Sequence, residues 1–136
     1  MRAGKNVCLT VALVLAAGVA VMALRADDAQ GGQTMVVKML DTNLFQPETI
    51  TMTAGDTVEW INADKNSIHT ATAKKYWARF PGIFQLPPGA KPFDSGTLTP
   101  GQKYKLRFTV PGTYKYFCIP HQPQMKGTII VKPKPE

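Results

Sequence analysis

From Lys103 to Val110 the chain alternates without an exception, with Tyr104, Leu106, Phe108 and Val110 apolar and Lys103, Lys105, Arg107 and Thr109 polar. A period of two marks a strand buried on one face. Upstream, Ile50 and Met52 share one face of a strand-like run and Val58 and Trp60 share one face of the next, with Ala54-Gly55-Asp56 as the turn between them. Met35 to Leu40 predicts the first strand, and Met35, Met39 and Met52 fall where core side chains belong. Pro111-Gly112 turns the chain again, after which Tyr114, Tyr116 and Cys118 occupy one strand face. Gly127 to Val131 makes the last strand, and Pro133 and Pro135 end it. No amphipathic helix of any length follows residue 26. The pattern predicts an all-β protein, an antiparallel Greek-key β-sandwich of seven or eight strands.

Residues 74–92 break this spacing, being too long and too rich in proline and glycine for a hairpin turn. They predict a loop over one end of the sandwich, with a short helical turn around Tyr76 to Phe80. Ile83, Phe84, Leu86, Pro87 and Pro88 are candidates for an apolar docking face, and Lys74, Lys75, Arg79 and Lys91 for charges that steer an acidic partner.

The first residues follow a different rule. A basic start through Arg2 and Lys5 leads into an 18-residue apolar run from Val7 to Leu24, then Arg25, Asp27 and Asp28. Residues 1–26 are expected to be a secretory signal peptide. The same run reaches the length of a short membrane span, so retention as a membrane anchor is the second reading. Residues 27–33 form a polar, glycine-containing linker, and residues 34–136 remain for one domain. About 110 residues suffice for one compact core and not for two. The expected location is therefore outside the cytoplasm, in the periplasm or facing it.

The formal net charge of +7 shrinks when Arg2, Lys5 and Arg25 leave with the leader. What remains is a mild basic excess, and Lys103, Lys105 and Arg107 read as a solvated strand face rather than a nucleic-acid surface.

Cys8 lies within the leader, so the exported domain keeps Cys118 alone and cannot form an internal disulfide. Cys118 stands in Tyr116-Phe117-Cys118-Ile119-Pro120-His121-Gln122-Pro123-Gln124-Met125-Lys126-Gly127, where a thiolate, an imidazole and a thioether share one short connection. The one remaining histidine, His69, lies 49 positions before the cysteine at the end of another strand-like segment. Singly, each of these residues has an ordinary structural use: inert buried thiol, core filler, satisfied histidine. Together, His69, Cys118, His121 and Met125 are the donor set of an electron-transfer copper site. Soft sulfur favours Cu(I), imidazole keeps Cu(II) accessible, and two prolines beside His121 stiffen the loop.

With these residues the chain resembles the cupredoxins, the small type 1 blue copper proteins that include plastocyanin, pseudoazurin and amicyanin. The resemblance spans nearly all of residues 34–131. Its most specific parts are Cys118-Ile-Pro-His-Gln with Met125-Lys-Gly-Thr, supported by Ala54-Gly-Asp-Thr-Val-Glu-Trp, Phe93-Asp-Ser-Gly-Thr-Leu and Pro111-Gly-Thr-Tyr-Lys-Tyr-Phe-Cys. It implies one copper ion, with His69, Cys118 and His121 as strong equatorial ligands and Met125 as the weak axial one. It also implies that His121 lies near the surface in an apolar patch and conducts the electron. Two features depart from the family. Three residues separate His121 from Met125, where plastocyanin and pseudoazurin have four and amicyanin two, so this spacing sets its own axial distance. Thr70 stands where the family commonly places an asparagine that ties the ligand loops together, which leaves the Thr70 hydroxyl to serve instead.

The expected function is a one-electron carrier that cycles between Cu(I) and Cu(II) and meets its redox partners, a cytochrome or a copper enzyme, only transiently. A copper chaperone or storage protein is the alternative, but such proteins use open, Met- or His-rich runs that this chain lacks. An enzyme is not expected, because no general base stands near the ligands and Glu59 alternates outward on its strand. Zinc is a poorer match for a thioether, and a Cys118/His121 nucleophile pair lacks an orienting third residue.

Overall fold

The computed structural model describes residues 31–136. The leader, with Cys8 and its cleavage or anchoring, and most of the linker lie outside the described residues. Nine strands form two packed sheets: β1 (Thr34–Met39), β2 (Phe45–Gln46), β3 (Thr49–Thr53), β4 (Thr57–Asn62), β5 (Thr72–Ala73), β6 (Phe93–Asp94), β7 (Lys103–Arg107), β8 (Gly112–Phe117) and β9 (Lys126–Lys132). One sheet has the order β2-β1-β4-β7 and the other β3-β9-β8-β5-β6.

The sandwich matches the expectation but has nine strands rather than seven or eight, and its details differ in two ways. Three of the nine strands, β2, β5 and β6, are two-residue pieces too short to show any alternation. Two pairings, β1 with β4 and β3 with β9, run parallel, so the sheets are mixed. The turns at Ala54-Gly55-Asp56 and Pro111-Gly112 are real, and each carries the chain from one sheet to the other. Gly55 and Gly112 have φ of 106° and 137°, a region that side chains disfavour. Asp56 secures the first turn by accepting the Thr53 and Gln33 N–H groups at 2.8 Å each.

The alternation read from the sequence aims Val37, Met39, Val58 and Trp60 of one sheet at Ile50, Met52, Tyr116, Ile129 and Val131 of the other, all buried. Trp60 centres this layer. Its ring meets the Tyr116 ring edge-on at 5.5 Å and lies against Phe93, Tyr104 and Phe108 at 5.7–6.2 Å. Aromatic contacts of this geometry contribute beyond their buried area. On the outer face Glu59 points away from the core as expected, yet it is shielded by Lys105 at 3.0 Å and Lys103 at 3.4 Å. The Lys105 contact leads in holding its carboxyl below the ordinary range.

Residues 74–92 are only partly the surface loop predicted. A 3-10 turn at Lys75–Trp77 stands in the helical position. The apolar docking face proposed from sequence is corrected: Ile83 and Pro87 are buried, Phe84 and Leu86 pack on the core, and Pro88 alone is exposed. The cause is backbone pairing. Gln85 exchanges hydrogen bonds with Lys115 at 2.9 and 3.2 Å, drawing this segment alongside β8. The exposed aromatics of the loop are Tyr76, Trp77 and Phe80.

Gly127 on β9 faces Tyr116 on β8, and a Cβ there would overlap the Tyr116 ring. Because that ring is wedged against Trp60, it has little room to yield. Gly127→Ala is expected to destabilise the copper-free domain by about 1–3 kcal/mol in denaturant unfolding. An unchanged midpoint would show that the Tyr116 packing is not close.

Candidate metal centre

The ends of β4 and β8 place the donors. After Asn62 the chain leaves its strand and returns through His69, whose backbone exchanges hydrogen bonds with Leu98 at 2.9 and 3.1 Å. Asn62, itself buried, shapes that excursion: its amide donates to the Ser67 and Leu98 carbonyls at 2.9 and 2.8 Å, and its oxygen accepts the Asp64 N–H at 3.0 Å. The second donor segment closes on itself. Cys118 N–H donates to the Met125 carbonyl and Met125 N–H to the His121 carbonyl, both at 2.9 Å.

His69, Cys118 and His121 converge. Nδ1 of His69 lies 3.2 Å from Nδ1 of His121, and Cys118 Sγ lies 3.7 Å and 3.4 Å from those two atoms. A triangle with these sides has a centre about 2 Å from each corner, within the roughly 2.0–2.3 Å span of metal bonds to imidazole nitrogen and thiolate sulfur. The three donors therefore fit one metal ion without rearrangement. Met125 is fully buried at the closing end of the same loop. Together the four residues make an arrangement like a type 1 copper site, and copper is the cofactor it suits.

Thr70 joins the two donor segments. Its hydroxyl accepts the Ile119 N–H at 2.9 Å, and its own N–H points at Cys118 Sγ at 3.3 Å. The Thr72 hydroxyl donates to Asp94 Oδ1 at 3.0 Å, and Thr70 Oγ1 lies 3.0 Å from the same Thr72 oxygen, to which its own proton is directed. The hydroxyl tie expected at Thr70 is thus present and is itself braced by β5 and β6.

Burial separates the donors electrostatically. Desolvation pushes the Cys118 thiol above its ordinary value, opposed by the Thr70 N–H. Desolvation, followed by the neighbouring His69, lowers His121 and so favours its neutral imidazole. Copper uptake then requires loss of the thiol proton, as metal binding to thiols does generally. Asp64 was missed in the sequence. Its Oδ2 lies 3.1 Å from His69 Nε2, while Oδ1 accepts the Asn66 and Ser67 N–H groups at 2.8 and 3.1 Å. The Asn66 N–H is the main reason its carboxyl is lowered to about 2, with desolvation opposing and His69 adding to the effect. The role of Gln122 was also missed. Its side chain bonds Trp77 and Arg79 on the neighbouring loop and the Ile119 carbonyl within its own, tying residues 77–79 to the donor loop.

The model of the copper binding proteins of the plastocyanin/azurin family matches residues 33–132. The chain belongs to this family. It is 35% identical over 99 residues to plastocyanin from Scenedesmus fuscus, covering 65% of this chain and 87% of that protein. It is 31% identical to amicyanin-alpha from Methylorubrum extorquens, covering 87% of this chain and 85% of the relative. Among solved structures, a pseudoazurin from Sinorhizobium meliltoi aligns with a TM-score of 0.57 and 27% identity, covering 74% of each chain. A copper-containing nitrite reductase from Thermus scotoductus aligns with the same TM-score at 28% identity, but this chain covers only 23% of it. Among the described residues no helix is long and apolar enough to cross a membrane.

Thr70→Val keeps the shape of the side chain and removes the hydroxyl that accepts the Ile119 N–H. The copper-free variant is expected to lose about 1–3 kcal/mol in denaturant unfolding. Copper(II) release to a chelator should also quicken, because the two donor segments lose their side-chain tie. Unchanged stability and release would show that the backbone bonds alone fix the loops.

Proposed function

We propose that this cupredoxin is an exported one-electron carrier, with His69, Cys118 and His121 as equatorial copper ligands and Met125 as the axial one. The observation that carries this reading is the triangle of donor atoms, closed and largely buried, which fits an ion already. A site that needs no rearrangement suits repeated change of charge. His69 and Cys118 are inaccessible while His121 is only half-buried, so His121 is the route by which the electron leaves. Residues 1–26 direct export, residues 27–33 link, residues 34–136 form the domain, and the compartment is the periplasm.

The same closure argues against copper delivery. A chaperone must present its metal to a recipient, whereas here reciprocal backbone bonds and the Thr70 tie hold the donor loop shut. Catalysis has equally little support. Among the described residues one carboxylate, Asp64, contacts a donor, and it is buried behind His69 rather than beside an open position.

The surface beside His121 favours a transient, acidic redox partner. Gln122 fastens the loop bearing Tyr76, Trp77 and Phe80 to the donor loop, so these exposed rings sit on a fixed shelf. Lys75 and Arg79 are exposed on it, whereas Lys74 is engaged by Asp94 at 3.6 Å. Aromatic rings surrounded by basic charge suit brief, electrostatically steered encounters.

Two measurements test this reading. Copper-loaded protein titrated with a reductant should show an intense sulfur-to-copper band that bleaches and returns with retention of the metal, and Cys118→Ser should abolish the band. Rapid loss of copper on reduction would favour delivery instead. Lys75→Glu combined with Arg79→Glu should slow association with an acidic partner by about tenfold or more at low salt and flatten its salt dependence. Unchanged rates would remove these two residues from the footprint.

A further inference from the structure

Asp64 and His69 form the most deeply buried contact between a carboxylate and a basic side chain among the described residues, with side-chain exposures of 2% and 0%. Both the carboxylate of Asp64 and its backbone are held. Asn66 and Ser67 N–H groups bind Oδ1, and Asn62 binds the Asp64 N–H, so Oδ2 is left facing His69 Nε2. The far side of the same ring presents Nδ1 to Cys118 and His121. An acceptor fixed on Nε2 requires the proton there and leaves the Nδ1 lone pair free for a metal.

We propose that Asp64 is a positioning residue that sets the reduction potential of the centre by making His69 a stronger, negatively backed donor. The inference rests on His69 being a copper ligand. A carboxylate on the outer nitrogen raises the basicity of a ligating imidazole more than a neutral acceptor would. Its negative charge, set in a dry interior, favours the more positive metal state, so Cu(II) is stabilised over Cu(I) and the potential is lowered. The other described carboxylate near this network, Asp94, reaches the donors only through Thr72 and Thr70 and is partly exposed. Asp64 alone contacts a donor ring.

The test compares copper-loaded wild type, Asp64→Asn and Asp64→Glu by spectroelectrochemical titration, alongside Cu(I) and Cu(II) affinities. Asp64→Asn keeps the shape and removes the charge, and should shift the Cu(II)-to-Cu(I) preference at least tenfold toward Cu(I). That corresponds to a midpoint about 59 mV higher. Asp64→Glu should return part of the shift. A folded, coloured Asp64→Asn protein with an unchanged midpoint would overturn the proposal. Should that variant not fold, nitrogen NMR of the wild-type Cu(I) protein decides. A slowly exchanging proton on His69 Nε2 supports the proposal, and a rapidly exchanging one overturns it. Failure of the underlying reading looks different: if His69 is no ligand, His69→Gly leaves the sulfur-to-copper band of the loaded protein in place.

Discussion

A metal that changes charge without displacing its ligands needs donors fixed before it arrives, and that constraint organises one whole end of this sandwich. Two separate excursions, after β4 and after β8, have to meet to within a few tenths of an ångström. Backbone bonds close each excursion individually, through the His69 pairing with Leu98 and the Met125 pairings with Cys118 and His121. The Thr70 hydroxyl then joins one to the other through Ile119 N–H. Below them the Trp60 cluster holds the two sheets together, so the strands that launch both excursions share one rigid base. Stiffness at the donors is thus inherited from packing that never touches the metal.

Much of this was legible because it depends on local periodicity. The alternation in β7 and the apolar pairs in β3 and β4 name their own buried faces. Cys118, His121 and Met125 are also local, since one short connection carries all three. His69 was found by elimination, as the second of two histidines, and the resemblance to cupredoxins set all four in their roles. The structure places three of these residues around one point and the fourth, buried, at the end of the same loop.

The rest depends on partners that alternation does not encode. Which strands pair, and in which direction, is decided across the sheet, so the parallel β1/β4 and β3/β9 pairings were invisible. The segment around Ile83 and Pro87 read as exposed because its prolines and glycines signal a loop, whereas Gln85 pairs with Lys115 and turns its apolar neighbours inward. Asp64 escaped notice for a related reason. It lies in an irregular segment, where no period says which way a side chain points, and only the Asn62 scaffold aims it at His69. Gln122 was read as part of the donor motif, yet its role is to moor the adjacent loop.

The most direct test of pre-set donors is to compare crystal structures of the copper-free, Cu(II) and Cu(I) forms at neutral pH. His69 Nδ1, Cys118 Sγ, His121 Nδ1 and the Met125 sulfur should superimpose across all three to within about 0.5 Å, the tolerance of a preorganised site. A copper-free form with the His69 ring turned away from Cys118, or a Cu(I) form with His121 swung outward, would contradict a site assembled by the fold.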